Sequence, residues 1–152
     1  MVAILEPMKT RWHESVDEFR AIAEPVYRRD AIANTIELTL LWAGMFPDDS
    51  LLLSVWNDGR PVGAALQTPP YPLACNGISL IAMDSVAAEV AGWRPELAAV
   101  RGVRSSAAAF ADAWHAITGL AGTTSSEERL YRLGTLRPPA GVAGAARLGR
   151  VC

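Results

Sequence analysis

The clearest pattern of apolar and polar positions is a hairpin between Leu51 and Leu73. Leu51 to Trp56 is apolar and rich in strand-forming residues, and Pro61 to Gln67 resumes an apolar run. Between these runs, Asp58-Gly59 can adopt the positive φ angles of a tight turn. The pattern predicts two paired antiparallel strands. Pro61, which lacks an N–H, fits only the first position of its strand or an edge.

Apolar residues at three- and four-residue intervals predict helices on both sides of this hairpin. Asp30 is expected to begin the second helix and Asp84-Ser85 to cap the third, because short polar side chains cap helix N-termini. Pro25 and Pro95 are expected to mark two of the ends. In chain order, the predicted helices span residues 11–25, 30–44, 86–95 and 107–118.

Three further stretches are expected to be strands. Ile78 to Met83 is a short apolar run that would form a third central strand leading directly into a helix. Leu97 to Val103 is ambiguous but fits a short strand, and Glu128 to Leu136 fits a final strand ended by Pro138-Pro139. The order predicts an α+β fold with a sheet covered by helices.

Composition bounds the domain number and the classes of partner. A chain of 152 residues, 51% of them hydrophobic and 20% charged, fits one ordinary globular domain. We place that domain at residues 1–139 and expect 140–152 to be a tail or a truncated linker. The net charge of −2 argues against a nucleic-acid partner. The basic C-terminal stretch is more simply a solvated tail.

Cysteine usage and the N-terminus bear on the compartment. Cys75 and Cys152 lie far apart, without the spacing of a metal site or a disulfide framework. We therefore expect no metal. No secretory leader pattern opens the sequence, and no apolar run approaches the roughly 18 residues of a membrane span. The expectation is a cytoplasmic protein without a membrane partner.

Three segments carry a resemblance to a known family. They are Arg29-Asp30 with Asn34-Thr35, the run DGRPVGAALQTPPYPL within 51–73, and ERLYRLGTLRPP from Glu128 to Pro139. With the order of predicted elements, they resemble the GNAT superfamily of acetyltransferases. More narrowly, they resemble the N-terminal lobe of two-lobed GNAT-like proteins from actinobacteria. The resemblance covers nearly the whole chain.

The resemblance implies a fold and an activity. The fold would be a mixed, largely antiparallel twisted sheet flanked by helices. The activity would be transfer of an acetyl group from acetyl-CoA to an amine, the deprotonated amine attacking the thioester carbonyl directly. It also implies a partner, either a second copy in a homodimer or a second GNAT lobe. The acceptor would be a small-molecule amine.

The cofactor loop of the family departs from its pattern in this sequence. GNAT enzymes hold the cofactor pyrophosphate on backbone N–H groups of a Q/R-x-x-G-x-G/A loop, at the start of the helix after the central strand. At the matching position this chain has Met83, Asp84 and Ser85. These residues are the cofactor-binding candidates by position, although glycines are absent and Asp84 brings a negative charge.

The candidates for substrate contact and catalysis lie at predicted strand ends. Gln67 and Tyr71, at the end of the hairpin, are candidates for binding substrate. Tyr131 on the final strand is the candidate for catalysis, because a phenol can serve as an acid. The alternative, which we favour, is that both tyrosines are half-buried strand residues with their hydroxyls at the rim. His13 and His115 are expected on polar helix surfaces.

Two functions therefore remain open from the sequence. The first is a GNAT-type N-acetyltransferase that binds acetyl-CoA. The second is a non-catalytic GNAT-like lobe that acts in dimerisation or partner binding, since the pyrophosphate loop pattern is missing.

Overall fold

The fold begins with a strand where the sequence predicted the start of a helix. A computed structural model describes residues 8–141 and 143–145. In it, Lys9–Trp12 forms β1, which pairs antiparallel with β2. Ser15 then caps α1, Val16–Tyr27, by accepting a hydrogen bond from the Glu18 N–H at 3.2 Å. The helix continues through Pro25, so the predicted end was wrong.

The second helix starts later than predicted and exposes much of its apolar surface. A short 3₁₀ turn, Arg28–Asp30, and a bend precede α2, Thr35–Ala43, which ends at Gly44 with φ +67°. Ile36 and Trp42 are exposed, whereas Glu37 is completely buried. The helix thus buries a carboxyl group while part of its apolar surface is exposed.

The predicted hairpin is confirmed. Leu51–Asn57 forms β2 and Arg60–Gln67 forms β3, paired antiparallel from Leu51–Gln67 to Asn57–Arg60. Asp58 and Gly59 adopt φ angles of +49° and +73°, as a tight hairpin turn requires. Pro61 lies opposite Trp56 at an irregularity in the register, where a missing N–H is tolerated.

The third central strand lies elsewhere than predicted. Leu73–Ala74 forms β4, whereas Leu80–Ala82 within the predicted strand is a 3₁₀ turn that leads into α3, Met83–Trp93. Leu80 and Ile81 are exposed, while Ala82, Met83, Val86, Ala87 and Val90 are buried. This spacing is helical, and a short apolar run alone does not distinguish it from a strand.

The chain closes its sheet with a short parallel strand. Val100–Arg101 forms β5, as the sequence allowed, and α4 spans Arg104–Thr118. The sheet order is β1-β2-β3-β4-β5, with β4 and β5 parallel and the other pairs antiparallel. The prediction of an α+β fold with a mixed sheet flanked by helices is confirmed.

Two apolar clusters hold the helices on the sheet. One joins α1 and α2 to the face that presents Leu52 and Leu66, and the other joins α3 and α4 to the face that presents Leu53 and Leu73. The alternation of Leu52 and Leu53 between clusters follows the two-residue period of a strand. The strands are therefore buried on both faces.

The outer edge of β1 is polar and partly covered. Lys9 and Arg11 are exposed on this strand, and the Arg11 guanidinium lies 4.4 Å from the centre of the Trp56 ring. Trp12 stacks on Trp93 of α3 with ring centres 4.8 Å apart. Its Nε1 donates to Glu89 at 2.6 Å, which fixes β1 against α3.

The prediction of a final strand at Glu128–Leu136 is wrong. Residues 119–141 contain no helix or strand, and every side chain described there is exposed. A strand needs a neighbouring strand whose backbone N–H and C=O groups bond to its own. Residues 128–136 pair with neither edge of the described sheet. Residues 1–7 at the N-terminus, and 142 and 146–152 of the predicted tail, lie outside the described residues.

Candidate functional site

The two expected substrate residues, Gln67 and Tyr71, lie together and support the fold. Gln67 is buried at the end of β3, where its Nε2 donates to the backbone oxygen of Tyr71 at 2.9 Å. Its Oε1 accepts from Nη1 of Arg94 at 2.7 Å. The amide is thus engaged at both ends, while the Tyr71 ring is exposed. A role in substrate binding stays a prediction for both residues.

The cofactor candidates lie at the start of α3, one turn beyond the loop that follows β4. Met83 is buried in the core, whereas Asp84 and Ser85 are exposed in the first helical turn. Ala82 occupies the N-cap position without a side-chain hydrogen bond, so Asp84 and Ser85 do not cap the helix as predicted. Cofactor binding by these residues stays a prediction.

Tyr131 is not placed on a strand. It belongs to the exposed stretch after α4, and its side chain is 81% exposed. No hydrogen bond among the described residues joins it to Gln67, Tyr71 or the start of α3. A catalytic role for Tyr131 stays a prediction, and the interpretation as a half-buried strand residue is wrong.

An open cleft of about 190 Å³ lies beside the loop between β4 and the 3₁₀ turn that leads into α3. One wall is the connection between α1 and α2, and the other is the loop between β4 and α3. The lining residues are Val26, Arg29, Asp30, Asn34, Asn76, Gly77, Ile78 and Ser79. A concave surface with polar groups from two elements is the usual place for a ligand. We take this cleft as the candidate site.

Asn76 fixes the loop wall of the cleft. Its Nδ2 donates to the backbone oxygen of Ala33 at 2.9 Å, and its Oδ1 accepts from the Val103 N–H at 2.6 Å. The next residue, Gly77, accepts from the Ala64 N–H at 3.0 Å. One side chain thus ties the loop to the α1–α2 connection and to the start of α4.

Three buried titratable residues, Tyr27, Glu37 and Cys75, form a polar cluster near the cleft with the partly buried Arg101. Oε1 of Glu37 lies 3.2 Å from Nη2 of Arg101, close enough for an ion pair but without hydrogen-bond alignment. Burial raises the pKa of Glu37 above its usual value, against the opposing effect of Arg101. Burial, and then the charge of Glu37, raises the pKa of Tyr27.

Sequence analysis missed this cluster because its members are distant along the chain. The available signal was Glu37, a single carboxyl group within the otherwise apolar run from Ile36 to Trp42. Its charge needs a partner if the helix is buried, and nothing local supplies one. Cys75 was noted, but without a neighbour that would change its reactivity.

Cys75 is expected to react slowly with thiol reagents. It is fully buried, its Sγ donates to the backbone oxygen of Arg101 at 3.2 Å, and burial raises its pKa to about 12. Because the thiolate is the reactive form, a Cys152→Ser variant should be labelled by a disulfide reagent at least about tenfold slower when folded than in urea. Equal rates in the two states would contradict this placement of Cys75.

The residues around the start of α3 do not fit a CoA pyrophosphate. A 3₁₀ turn precedes α3, so the Met83 N–H is engaged by the oxygen of Leu80 and is not free for an anion. Arg29 lines the cleft, where its guanidinium donates to the backbone oxygens of Val62 and Pro61 at 3.3 and 3.4 Å. Asp30 also lines the cleft, and Asp84 lies in the first turn of α3. A Cβ at Gly77 would lie 2.5 Å from Cε1 of Tyr27, so the close contact with this ring explains the glycine without a phosphate. The described residues leave this phosphate site incomplete.

The histidines do not extend the candidate site. His13 is buried, contrary to the prediction of a surface position, with Nε2 2.7 Å from Oγ of Ser54 and Nδ1 3.4 Å from Oε1 of Glu18. Burial lowers the pKa of His13, because a buried site favours the neutral form of the imidazole. His115 is exposed on α4. Within residues 8–141 and 143–145, no group of three metal-ligating side chains is suitably arranged for a metal ion.

No helix in the described part of the chain has the length and apolar character needed to cross a membrane. Comparison with known proteins gave no match: no family model matches the chain, and neither a curated protein nor a solved structure does.

Proposed function

We propose that this chain is a GNAT-like lobe that is non-catalytic by itself and acts by pairing, with a second copy or with a separate cofactor-binding lobe. The observation that carries the proposal is the chemistry at the start of α3, where the resemblance puts the cofactor pyrophosphate. Asp84 lies in the first turn of α3, and the stretch from Ile78 to Ala91 contains no glycine, so these residues do not suit that group.

The arrangement of the sheet supports the GNAT-like assignment. The resemblance places the cofactor loop at the start of the helix after the central strand. Here α3 follows β4, and the chain then returns as β5, parallel to β4. A helix that connects two parallel strands starts near the carboxyl end of the first, which is where ligands bind in related sheets. The topology thus supports a GNAT-like fold, while the residues of the loop do not suit acetyl-CoA.

The positions of the acids and bases support the non-catalytic assignment. An acid or base must come within hydrogen-bonding distance of the group whose proton it moves. Glu37 and Tyr27 have raised pKa values but are completely buried, so an amine cannot reach them in this fold. The side-chain amide of Gln67 already forms hydrogen bonds to Tyr71 and Arg94.

Calorimetric titration with acetyl-CoA tests this proposal. We expect no saturable heat at about millimolar ligand and no change in melting temperature, because a ligand at a hundred times its Kd would stabilise the fold by about 2.7 kcal/mol. Light scattering on the same sample should give a mass above that of one chain, because a second copy or a co-purifying separate lobe is bound. Saturable heat displaced by CoA would contradict the proposal, as would a lone monomer.

A second candidate function is an acetyl-CoA-dependent N-acetyltransferase acting on a small amine. The observation that favours it is Arg29 in the cleft beside the loop that follows β4, since a guanidinium attracts phosphate. The same titration decides it, with Arg29→Ala as the variant and Arg28→Ala, outside the cleft lining, as the matched control. Binding weakened only by Arg29→Ala would support this function.

A further inference from the structure

Two opposite charges without ionic partners lie next to each other in the lining of the cleft. Arg29 and Asp30 are exposed in the 3₁₀ turn between α1 and α2, and both line the cleft. Among residues 8–141 and 143–145, no ion pair involves either side chain. Arg29 is therefore available to an anionic group, and Asp30 to a cationic group, of a bound molecule.

Hydrogen bonds to the backbone hold both charges in place without using all of their capacity. The Arg29 guanidinium donates to the backbone oxygens of Val62 and Pro61 at 3.3 and 3.4 Å. A guanidinium has more N–H groups than these two bonds use. Oδ1 of Asp30 accepts from the Ala33 N–H at 3.0 Å, which leaves the second carboxyl oxygen free. The two side chains are thus positioned and still able to bind.

Asn34 adds a buried acceptor to the same lining. Its Nδ2 donates to the backbone oxygens of Tyr27 at 3.2 Å and Asp30 at 3.0 Å. Because both partners are acceptors, this nitrogen and the amide oxygen cannot be exchanged. Asn34 is 4% exposed, and its Oδ1 is buried without a hydrogen-bond partner. An unpaired buried acceptor is unfavourable, so a donor that enters beside Asp30 is stabilised by it.

The rest of the lining limits the size and the character of a ligand. Val26 and Ile78 are buried apolar side chains, and Ser79 is exposed at the rim. The cleft volume of about 190 Å³ is smaller than the roughly 300–1,000 Å³ of sites for drug-sized ligands. The cleft therefore suits a small molecule with a short aliphatic part.

We propose that this cleft binds a free α-amino acid with a short aliphatic side chain. The ammonium group of the ligand donates to the Asp30 carboxylate and to Oδ1 of Asn34. Its carboxylate accepts from the Arg29 guanidinium, and its side chain contacts Val26 and Ile78. One molecule thus meets both unpaired charges and the unpaired acceptor. This role goes beyond the pairing function and holds whether or not the chain pairs.

Titration with L-valine, followed by NMR of the ¹⁵N-labelled protein without acetyl-CoA, tests the proposal. We expect saturable shifts of the Asn34 side-chain amide and of the Gly77 backbone amide. L-Valinamide keeps the ammonium but lacks the negative charge, and 3-methylbutanoate keeps the carboxylate but lacks the positive charge. Each should bind at least about tenfold more weakly than L-valine.

Two variants that each remove one charge locate the ligand. Arg29→Gln removes the cation, and Asp30→Asn removes the anion while its amide oxygen still accepts from the Ala33 N–H. Each should weaken L-valine binding at least about tenfold. Arg28→Gln, next in sequence but outside the cleft lining, is the matched control and should bind L-valine as the wild type does.

Four results would overturn the proposal. The first is the absence of a saturable shift with L-valine up to about 50 mM. The second and third are equal binding of L-valinamide or of 3-methylbutanoate, because the cleft would then recognise a single charge. The fourth is unchanged L-valine binding in either cleft variant. The mass of the assembly and the acetyl-CoA titration are separate measurements, so failure here is distinguishable from failure of the pairing function.

Discussion

Replacing Arg101 with methionine is expected to lower the free energy of unfolding by about 3 kcal/mol at about pH 8, and by much less near pH 5. Methionine keeps the apolar stem but removes the guanidinium beside Glu37. Both carboxyl oxygens of Glu37 are buried without a well-aligned hydrogen bond, so the backbone N–H of Glu37 and the Arg101 guanidinium are the groups that compensate its charge. Unfolding by urea, followed by circular dichroism at the two pH values, measures the difference.

The direction of this pH dependence follows from the raised pKa of Glu37. Its usual value is 4.5, and burial raises it in the folded protein. Between those two values the folded state binds the proton more tightly than the unfolded chain, so stability falls as pH rises. The Arg101 charge lowers the pKa of folded Glu37, so its removal raises that pKa further. The pH range over which stability falls then extends upward, and the loss of stability at high pH becomes larger.

The Glu37→Gln variant provides the control. Glutamine keeps the shape of the side chain without a charge that requires Arg101. We expect the double variant Glu37→Gln/Arg101→Met to recover most of the stability that Arg101→Met alone loses at about pH 8. An equal loss for Arg101→Met at both pH values would show that Arg101 acts through packing, which would contradict the assigned ion pair.

Replacing Gly77 with alanine is expected to cost about 3 kcal/mol of stability. The added Cβ would lie 2.5 Å from the Ala64 backbone oxygen and 2.5 Å from Cε1 of Tyr27. Both neighbours are in the core, and the Ala64 N–H also bonds to Gly77, so the loop cannot move away without losing that bond. Urea unfolding monitored by tryptophan fluorescence gives the change.

Gly92 is the matched control for this substitution. It lies in α3, and a Cβ there meets nothing within 4 Å. Gly92→Ala should therefore stabilise the protein by about 0.5–1 kcal/mol, because alanine loses less backbone entropy in a helix. If Gly77→Ala were as neutral as a surface change, the close contact of the loop with Tyr27 and Ala64 would be contradicted.

Local sequence was sufficient to predict the hairpin and the α+β class. At Asp58-Gly59 the turn residues determine the backbone angles directly, and the flanking apolar runs have only one compact way to pair. The same holds for the end of α2 at Gly44, where a positive φ favours glycine. In these places the signal and the structure involve the same few residues.

Prediction failed where the structure depends on distant partners. Ile78 to Met83 is apolar enough for a strand, but the sheet already receives Leu73–Ala74 there, and Ala82 and Met83 pack as the start of a helix. Glu128 to Leu136 has the composition of a strand, yet a strand also needs an edge. Neither outcome can be read from the local pattern.

The candidate site was the least predictable part. The sequence pointed to the start of α3, whereas the cleft is lined by the preceding loop, as far as Ser79, and by the α1–α2 connection. The residues that shape it, Asn76, Gly77 and Tyr27, were not among the candidates. Their roles arise from contacts between elements far apart in sequence, such as Asn76 with Ala33 and Val103.

The outer edge of β1 bears on how the sheet avoids adding further strands. Exposed Lys9 and Arg11 on β1, together with the Trp12–Trp93 stack, make that edge a poor template for another chain. A protein with two receptive edges can add copies end to end into a filament or an aggregate. The charges on β1 oppose such growth at that edge.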